Sequence, residues 1–433
     1  MNTRTWTRGV AVGVMLALTV AACGGSDDES SSSTTAKSGG APAATAGFDG
    51  TTIHLGVITP TGGPVAVIGN PLTAGNKAYF DYVNEELGGI AGKYPVVLDI
   101  HDSGYDPTKA KQEYDAAKGG TVMIAQLLGT PIVNSILAQL VKDDVVAAPA
   151  SLDSNWVREP NLLPIGGPYQ TQAMNALNWY VTDGDGEGKK VCSLASDDPY
   201  GEAGQSGLEF AAEKLDIDLG PKVSFPAPPA VAGDFSSQIG QLDSAGCEMV
   251  FLVSTPSSTG PIMTKAAQTP GFDVQWIGQS PTWLGALGAS ALAPYLQANF
   301  LVAGEGPNYG DATVKGMAEL IRIKEKYAPT QAADVYFNFG YIEAKSVHAL
   351  LEKAVELGDL SHAGILKASE ELGKVSFDGL TGDYTYGKAD DRVPPRKSTI
   401  FKVDPASPTG LTAVAQDIEA PFVKDYEYAR SGD

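Results

Sequence analysis

Five times in this chain an apolar run ends in Thr, Ser or Asp followed at once by proline: Thr59-Pro60, Thr130-Pro131, Asp198-Pro199, Thr255-Pro256 and Ser280-Pro281. Ser, Thr and Asp cap helices, and proline suits the first helical turn, where its missing N–H would be unpaired in any case. Such junctions put hydroxyls and free backbone N–H groups at strand ends, which is chemistry for holding an anion rather than for breaking bonds. Catalytic patterns are missing. The sequence has no Gly-x-Ser-x-Gly and no P-loop, and the consecutive residues His101-Asp102-Ser103 cannot adopt the geometry of a triad. Four histidines (54, 101, 348, 362) are scattered, with no His-Glu-x-x-His and no Cys/His cluster, so no metal site is expected. Asp183-Gly-Asp185-Gly-Glu187-Gly188 opens like a calcium loop, yet its twelfth position is Leu194, inside an apolar run. No cofactor and no enzymatic activity is expected.

Three cysteines carry the remaining chemistry. Cys23 follows Arg4, Arg8, an apolar stretch ending at Val20, and Ala21-Ala22. That is a secretory signal over 1–22, too short to span a bilayer, and Val-Ala-Ala-Cys looks like a bacterial lipobox, in which the thiol is lipidated and becomes the first mature residue. Residues 23–50 are then the lipidated cysteine and a Gly/Ser/Thr/Ala-rich tether that cannot bury enough surface to order itself. The expected location is the outer face of the cell membrane, held by lipid. Cys192 lies in a strand-like run and Cys247 just before another, so a disulfide and a pair of buried free thiols are both open.

The chain has 433 residues and a net charge of −21. Removing the signal leaves 28 basic against 51 acidic residues, which argues against nucleic acid and against adsorption on anionic lipid. Past the tether, roughly 385 residues suffice for two domains.

The elements that must position the junctions alternate short apolar strands with helical patterns, as in parallel α/β architecture. Strands are expected over 53–58, 96–100 and 122–128, and near Val191, Val250, Gln275 and Phe300. Helices are expected over 76–86, 132–143, 208–215, 314–327 and 336–357. In open α/β sheets the strand ends carrying the junctions form the rim where ligands bind.

The stretch Leu55-Gly-Val-Ile-Thr-Pro60-Thr-Gly-Gly-Pro64, with Asn84…Gly88-Gly89-Ile-Ala-Gly92, Asp102…Asp106-Pro107, Asp197-Asp198-Pro199-Tyr200-Gly201, Gly233-Asp234-Phe235 and Gly379-Leu380-Thr381-Gly382, resembles the type I periplasmic binding proteins in their branched-chain amino-acid (Leu/Ile/Val-binding) branch. The motifs run in family order over nearly all of the folded part. The resemblance implies two Rossmann-like α/β lobes with parallel central sheets, joined by a three-crossover hinge. Lobe one is expected at 51–168 plus 306–380, lobe two at 169–305 plus 381–433. It also implies a monomeric binding subunit of an ABC importer, partnered by a permease and ATPases and capturing a small polar organic solute. A ligand sensor on the same fold and an extracytoplasmic amidase-type hydrolase are the alternatives.

By the same resemblance, Gly129 and Thr130 hold a ligand carboxylate, Thr130 also capping the helix start. Ala150 and Ser151 line the cleft, where Leu152 replaces a family threonine, and Tyr200 is a cleft aromatic from lobe two. Ser280 stands where amino-acid binders carry an acid for the ligand ammonium, and Ile68 stands where an aromatic is usual. An ammonium would therefore need another acid, from Asp153, Asp198 or Glu305. Otherwise the ligand is an amide, a carboxylate or an aromatic metabolite, with Trp156 or Trp283 available for stacking.

Overall fold

The computed structural model describes residues 41–228 and 233–431; the signal, Cys23 and the tether through residue 40 lie outside the described residues. Four apolar runs, β1 (Ile53–Thr59), β2 (Val96–Asp102), β3 (Ile124–Leu128) and β4 (Ala147–Ala150), form one parallel sheet in the order β2-β1-β3-β4. Helices α1 (Ala66–Glu86), α2 (Pro107–Ala117) and α3 (Thr130–Lys142) connect them. The internal strand β3 is buried at every residue, the expected state of a parallel strand covered on both faces.

The chain then crosses to a second sheet. Along it run α4 (Tyr169–Thr182), β5 (Val191–Ser196), α5 (Pro199–Leu215), β6 (Lys222–Phe225), α6 (Ser236–Ser244), β7 (Met249–Val253), α7 (Pro256–Ala267), β8 (Gln275–Gln279), α8 (Gly285–Gly288), α9 (Ala293–Asn299) and β9 (Phe300–Gly304). It returns to the first lobe as α10 (Met317–Tyr327), α11 (Val335–Leu357), α12 (His362–Glu370) and a small antiparallel pair, β10 (Lys374–Val375) and β11 (Tyr384–Thr385). It ends in the second sheet as β12 (Ser398–Val403) and β13 (Leu411–Ile418), giving the order β13-β12-β9-β8-β7-β5-β6. Five strands of this sheet are parallel, while β12 and β13 run antiparallel at one edge. The fold is thus the two-lobed α/β class expected from the sequence.

Helices α1 and α11 form the main contact over the first sheet, and glycine is what lets them approach. A Cβ on Gly340 would stand 1.9 Å from the Leu72 carbonyl oxygen, and one on Gly75 would stand 2.0 Å from that of Phe337. Cys192 in β5 and Cys247 just before β7 are joined by a disulfide, with Cα atoms 5.9 Å apart.

Several expectations need correction. The tether stops short of residue 50: Phe48 is buried, bridges to Ile53 and meets the Tyr94 ring edge-on at 5.1 Å. One large apolar side chain is enough to dock the segment. Helix α1 starts ten residues before the expected Asn76, with Pro71 inside it. Thr130 does not cap α3. Gly129 holds the capping position at φ +108°, and Thr130 is the first helical residue, its hydroxyl making no capping bond. Asp198 does cap α5, accepting from the Gly201 N–H at 2.9 Å.

Residues 384–393 stay with the first lobe. Buried Arg392 donates to the carbonyls of Glu159 and Leu162 at 2.7 and 2.9 Å, and the Tyr386 hydroxyl donates to that of Pro164 at 2.7 Å. Leu162 itself bridges to Ala147 of β4.

Candidate ligand-binding site

The strand ends of both lobes face a cavity of about 180 Å3. A single water needs roughly 10–15 Å3 by this measure, so the space suits a solute of on the order of ten heavy atoms. Gly129, Thr130, Ala150, Ser151, Tyr200, Ser280 and Glu305 all lie on its wall.

At one end β3 turns into α3. A side chain at Gly129 would collide with Tyr105, whose Cε2 lies 2.4 Å from where a Cβ would be. Beside it Thr130 is buried, and its Oγ1 has no protein hydrogen-bond partner. The Ser151 hydroxyl accepts from the Trp156 indole N–H at 3.1 Å, so its own proton remains available to a ligand. Trp156 itself is fully buried and off the wall. From the second lobe, Tyr200 packs edge-on against Tyr169 at 5.1 Å. Burial raises the Tyr105, Tyr200 and Tyr336 hydroxyls well above the ordinary tyrosine range, so this end is neutral.

Most of the remaining wall is apolar. Helix α11 contributes Val335, Phe339 and Ile342, and α10 contributes Met317 and Leu320. Trp283 is fully buried behind the wall, its N–H committed to the Thr409 carbonyl at 2.9 Å. The sequence reading missed the α11 and α10 residues. Their helical spacing was the available signal, but it is also the spacing of a helix packing into a core.

No Lys, Arg or His stands on the wall, and Glu305 is its one carboxyl among the described residues. Glu305 follows β9, and one carboxylate oxygen accepts from the Gly167 N–H at 2.7 Å. A Cβ on Gly166 would lie 2.2 Å from the other oxygen, which explains a glycine at φ +68° there. Burial pushes this carboxyl up to about 7, against the Gly167 hydrogen bond that favours its charged form. Asp153 and Asp198 do not reach the wall. Asp153 accepts from Asn155 N–H and Gln170 Nε2 at 3.1 and 3.0 Å, and Asp198 is occupied as a cap; burial raises both carboxyls. Among the described residues no cluster of His, Cys, Asp or Glu could hold a metal ion.

Across the cavity mouth, the Tyr336 hydroxyl at the start of α11 lies 2.7 and 2.9 Å from the carbonyl oxygens of Trp283 and Pro281 in the second lobe. Two α/β lobes meeting over a cavity lined by hydroxyls and by apolar side chains define a two-lobed solute-binding protein. The chain belongs to the periplasmic binding protein family, whose model matches residues 52–408.

It is 25% identical over 379 residues to a Leu/Ile/Val-binding protein homologue of Brucella melitensis, covering 85% of this chain and 97% of that one. A fatty acid ABC transporter substrate-binding protein from Thermomonospora curvata is similar in structure, with a TM-score of 0.82, 24% identity, and coverage of 90% of this chain and 98% of that one. A branched-chain amino acid ABC transporter protein from Thermus thermophilus, solved with bound valine, gives a TM-score of 0.74 at 16% identity, covering 88% and 99%. These relatives are substrate-binding components of ABC transporters, and family members are binding proteins rather than enzymes. Among the described residues no helix is long and apolar enough to cross a membrane.

Proposed function

We propose that this chain is the extracytoplasmic solute-binding subunit of an ABC importer, anchored by lipid at Cys23, and that its solute is a small carboxylic acid with a largely apolar body. The observation that carries the choice of ligand is the division of the cavity wall. Free hydroxyls and the start of α3 form one part of the wall, aliphatic and aromatic side chains most of the rest, with no acid at Ser280. A helix start offers unpaired N–H groups and positive potential, which suits a carboxylate without any cation. The Thermomonospora relative, a fatty acid ABC transporter substrate-binding protein, is in keeping with such a solute.

Gly129, Thr130 and Ser151 would hold the carboxylate, with Tyr200, Ala150 and Ser280 bounding it. We place the third crossover at 394–397 rather than at 380–381, because Arg392 and Tyr386 fasten residues 384–393 to the first lobe.

Glu305 favours a second reading. An uncompensated carboxyl on the wall could serve as the partner of an ammonium, and the solute would then be a branched-chain amino acid, as the names of two relatives suggest. Calorimetry of the mature protein separates the two readings. Octanoic acid binding with leucine silent supports the acid. Leucine binding that Glu305→Gln abolishes supports the amino acid.

A further inference from the structure

Beside Tyr336, α11 lines the cavity with one helical stripe: Val335, Asn338, Phe339 and Ile342, at spacings i, i+3, i+4 and i+7. Three of the four are apolar and need no partner. Asn338 is a carboxamide, and its side chain takes part in no protein hydrogen bond among the described residues; its Oδ1 is buried and unpaired. Its backbone is ordinary helix, with the N–H donating to the Asp334 carbonyl at 3.1 Å, so no local distortion accounts for the unmet side chain.

The residue is partly buried, but a buried amide oxygen left without a partner is costly, and native proteins seldom keep one without a reason. Several other buried polar atoms lack partners, including those of Asn76, Gln126, Gln279 and Glu343, but none of these residues is on the cavity wall. Three unpaired atoms are on it: Thr130 Oγ1, Thr381 Oγ1 and Asn338 Oδ1. Thr130 stands at the start of α3, where the carboxylate is assigned, and Thr381 faces Glu305. Asn338 shares its helix face with Val335, Phe339 and Ile342, and its Oδ1 has nothing to bond.

We infer that Asn338 reads a second polar group on the ligand's apolar body, a hydroxyl, so that the preferred solute is a hydroxy-substituted aliphatic acid rather than a plain one. This rests on the acid reading of the cavity given above. A hydroxyl fits because it can donate to Oδ1 and accept from Nδ2, and so satisfies the amide whichever way it is turned. A carboxylate fits poorly, since Asn338 lies one helical turn from the Asp334 carboxyl that caps α11, and no cation is on the wall. An ammonium fits poorly too, because a carboxamide offers it no counter-charge.

The test is isothermal titration calorimetry of the mature protein with octanoic acid and with each positional isomer of hydroxyoctanoic acid, on the native chain and on Asn338→Leu. At least one isomer should bind the native protein about tenfold more tightly than octanoic acid, and Asn338→Leu should bring that ratio to about one. The inference is overturned if no isomer outbinds octanoic acid, a comparison that needs no variant. It is also overturned if Asn338→Leu leaves the ratio intact, or if it weakens the plain and substituted acids equally, which would put the carboxylate at Asn338. If neither octanoic acid nor any isomer binds the native protein, the acid reading falls and takes this inference with it.

Discussion

Replacing Glu305 by Gln should make the protein more stable at neutral and alkaline pH and leave it nearly unchanged in acid. Glutamine keeps an oxygen that can accept the Gly167 N–H, so the hinge geometry survives while the charge is removed. The carboxyl rises from 4.5 to about 7 because burial disfavours its ionised form. At about 1.4 kcal/mol per unit, that rise corresponds to about 3 kcal/mol of native-state stability. The sign follows from linkage. A group whose native pKa exceeds its unfolded value contributes its full stability below the unfolded value, and that contribution is lost as pH rises through the native one. Wild type should therefore lose about 3 kcal/mol from this group between pH ~4.5 and ~7, and the variant should not.

Urea unfolding of both proteins over that range measures it, the prediction being a gap that opens with rising pH. Asp334, raised to about 6 by burial, and the raised Asp153, Asp198 and Glu343 push both proteins in the same direction, so only the difference between the curves isolates Glu305. Parallel curves, or a gap that closes with rising pH, would refute the assignment of Glu305 as an uncompensated buried acid.

Thr130→Ala should weaken octanoic acid binding about tenfold, the worth of one hydrogen bond to a charged group, whereas Ser280→Ala should change it little; equal, negligible effects in calorimetry would remove the carboxylate site. Replacing both Cys192 and Cys247 by Ser opens a link of sequence separation 55 and should cost up to about 4 kcal/mol in chemical denaturation. Tyr336→Phe removes a hydroxyl that spans the lobes and should lower the apparent affinity for octanoic acid a few-fold by depopulating the closed form, with scattering in solution showing a larger radius of gyration without ligand. Cys23→Ser should move the protein from the membrane fraction to the medium, still able to bind.

Seven strands were legible because buried parallel strands are continuous apolar runs, and β7, Met-Val-Phe-Leu-Val, can hardly be read otherwise; β4, β6 and β10 to β13 were not expected. Their ends were legible because hydroxyl-proline junctions are local chemistry, and from them and the family motifs came the polar half of the cavity. Helix α4 was not legible. Its buried residues include Gln170, Thr171, Gln172 and Asn175, so it shows no apolar stripe; their partners, such as the Arg396 carbonyl for Asn175 at 2.8 Å, are distant in sequence. Arg392 was hidden for the same reason, since it bonds carbonyls more than two hundred residues away. The apolar half of the cavity was hidden differently. Val335, Phe339 and Ile342 have the spacing of any core-facing helix, and only the tertiary fold shows that what they face is empty space.

That empty space bears on how capture works. A two-lobed protein closes on a ligand only if the ligand interacts better with the closed form than with the open one. The polar contacts at α3 belong to one lobe and could form before closure. The apolar wall is split: Phe339, Ile342 and Leu320 come from the first lobe, Val302 and Leu411 from the second. Burial of an aliphatic body on both sides is therefore available only after closure, at about 0.8 kcal/mol for each methylene. The carboxylate would determine where the ligand docks, and its tail would supply the free energy that shifts the lobes. Acids of increasing chain length should then gain affinity about fourfold per methylene until the cavity is full, while a short acid holding the same carboxylate site should bind weakly and leave the lobes' distribution nearly unchanged.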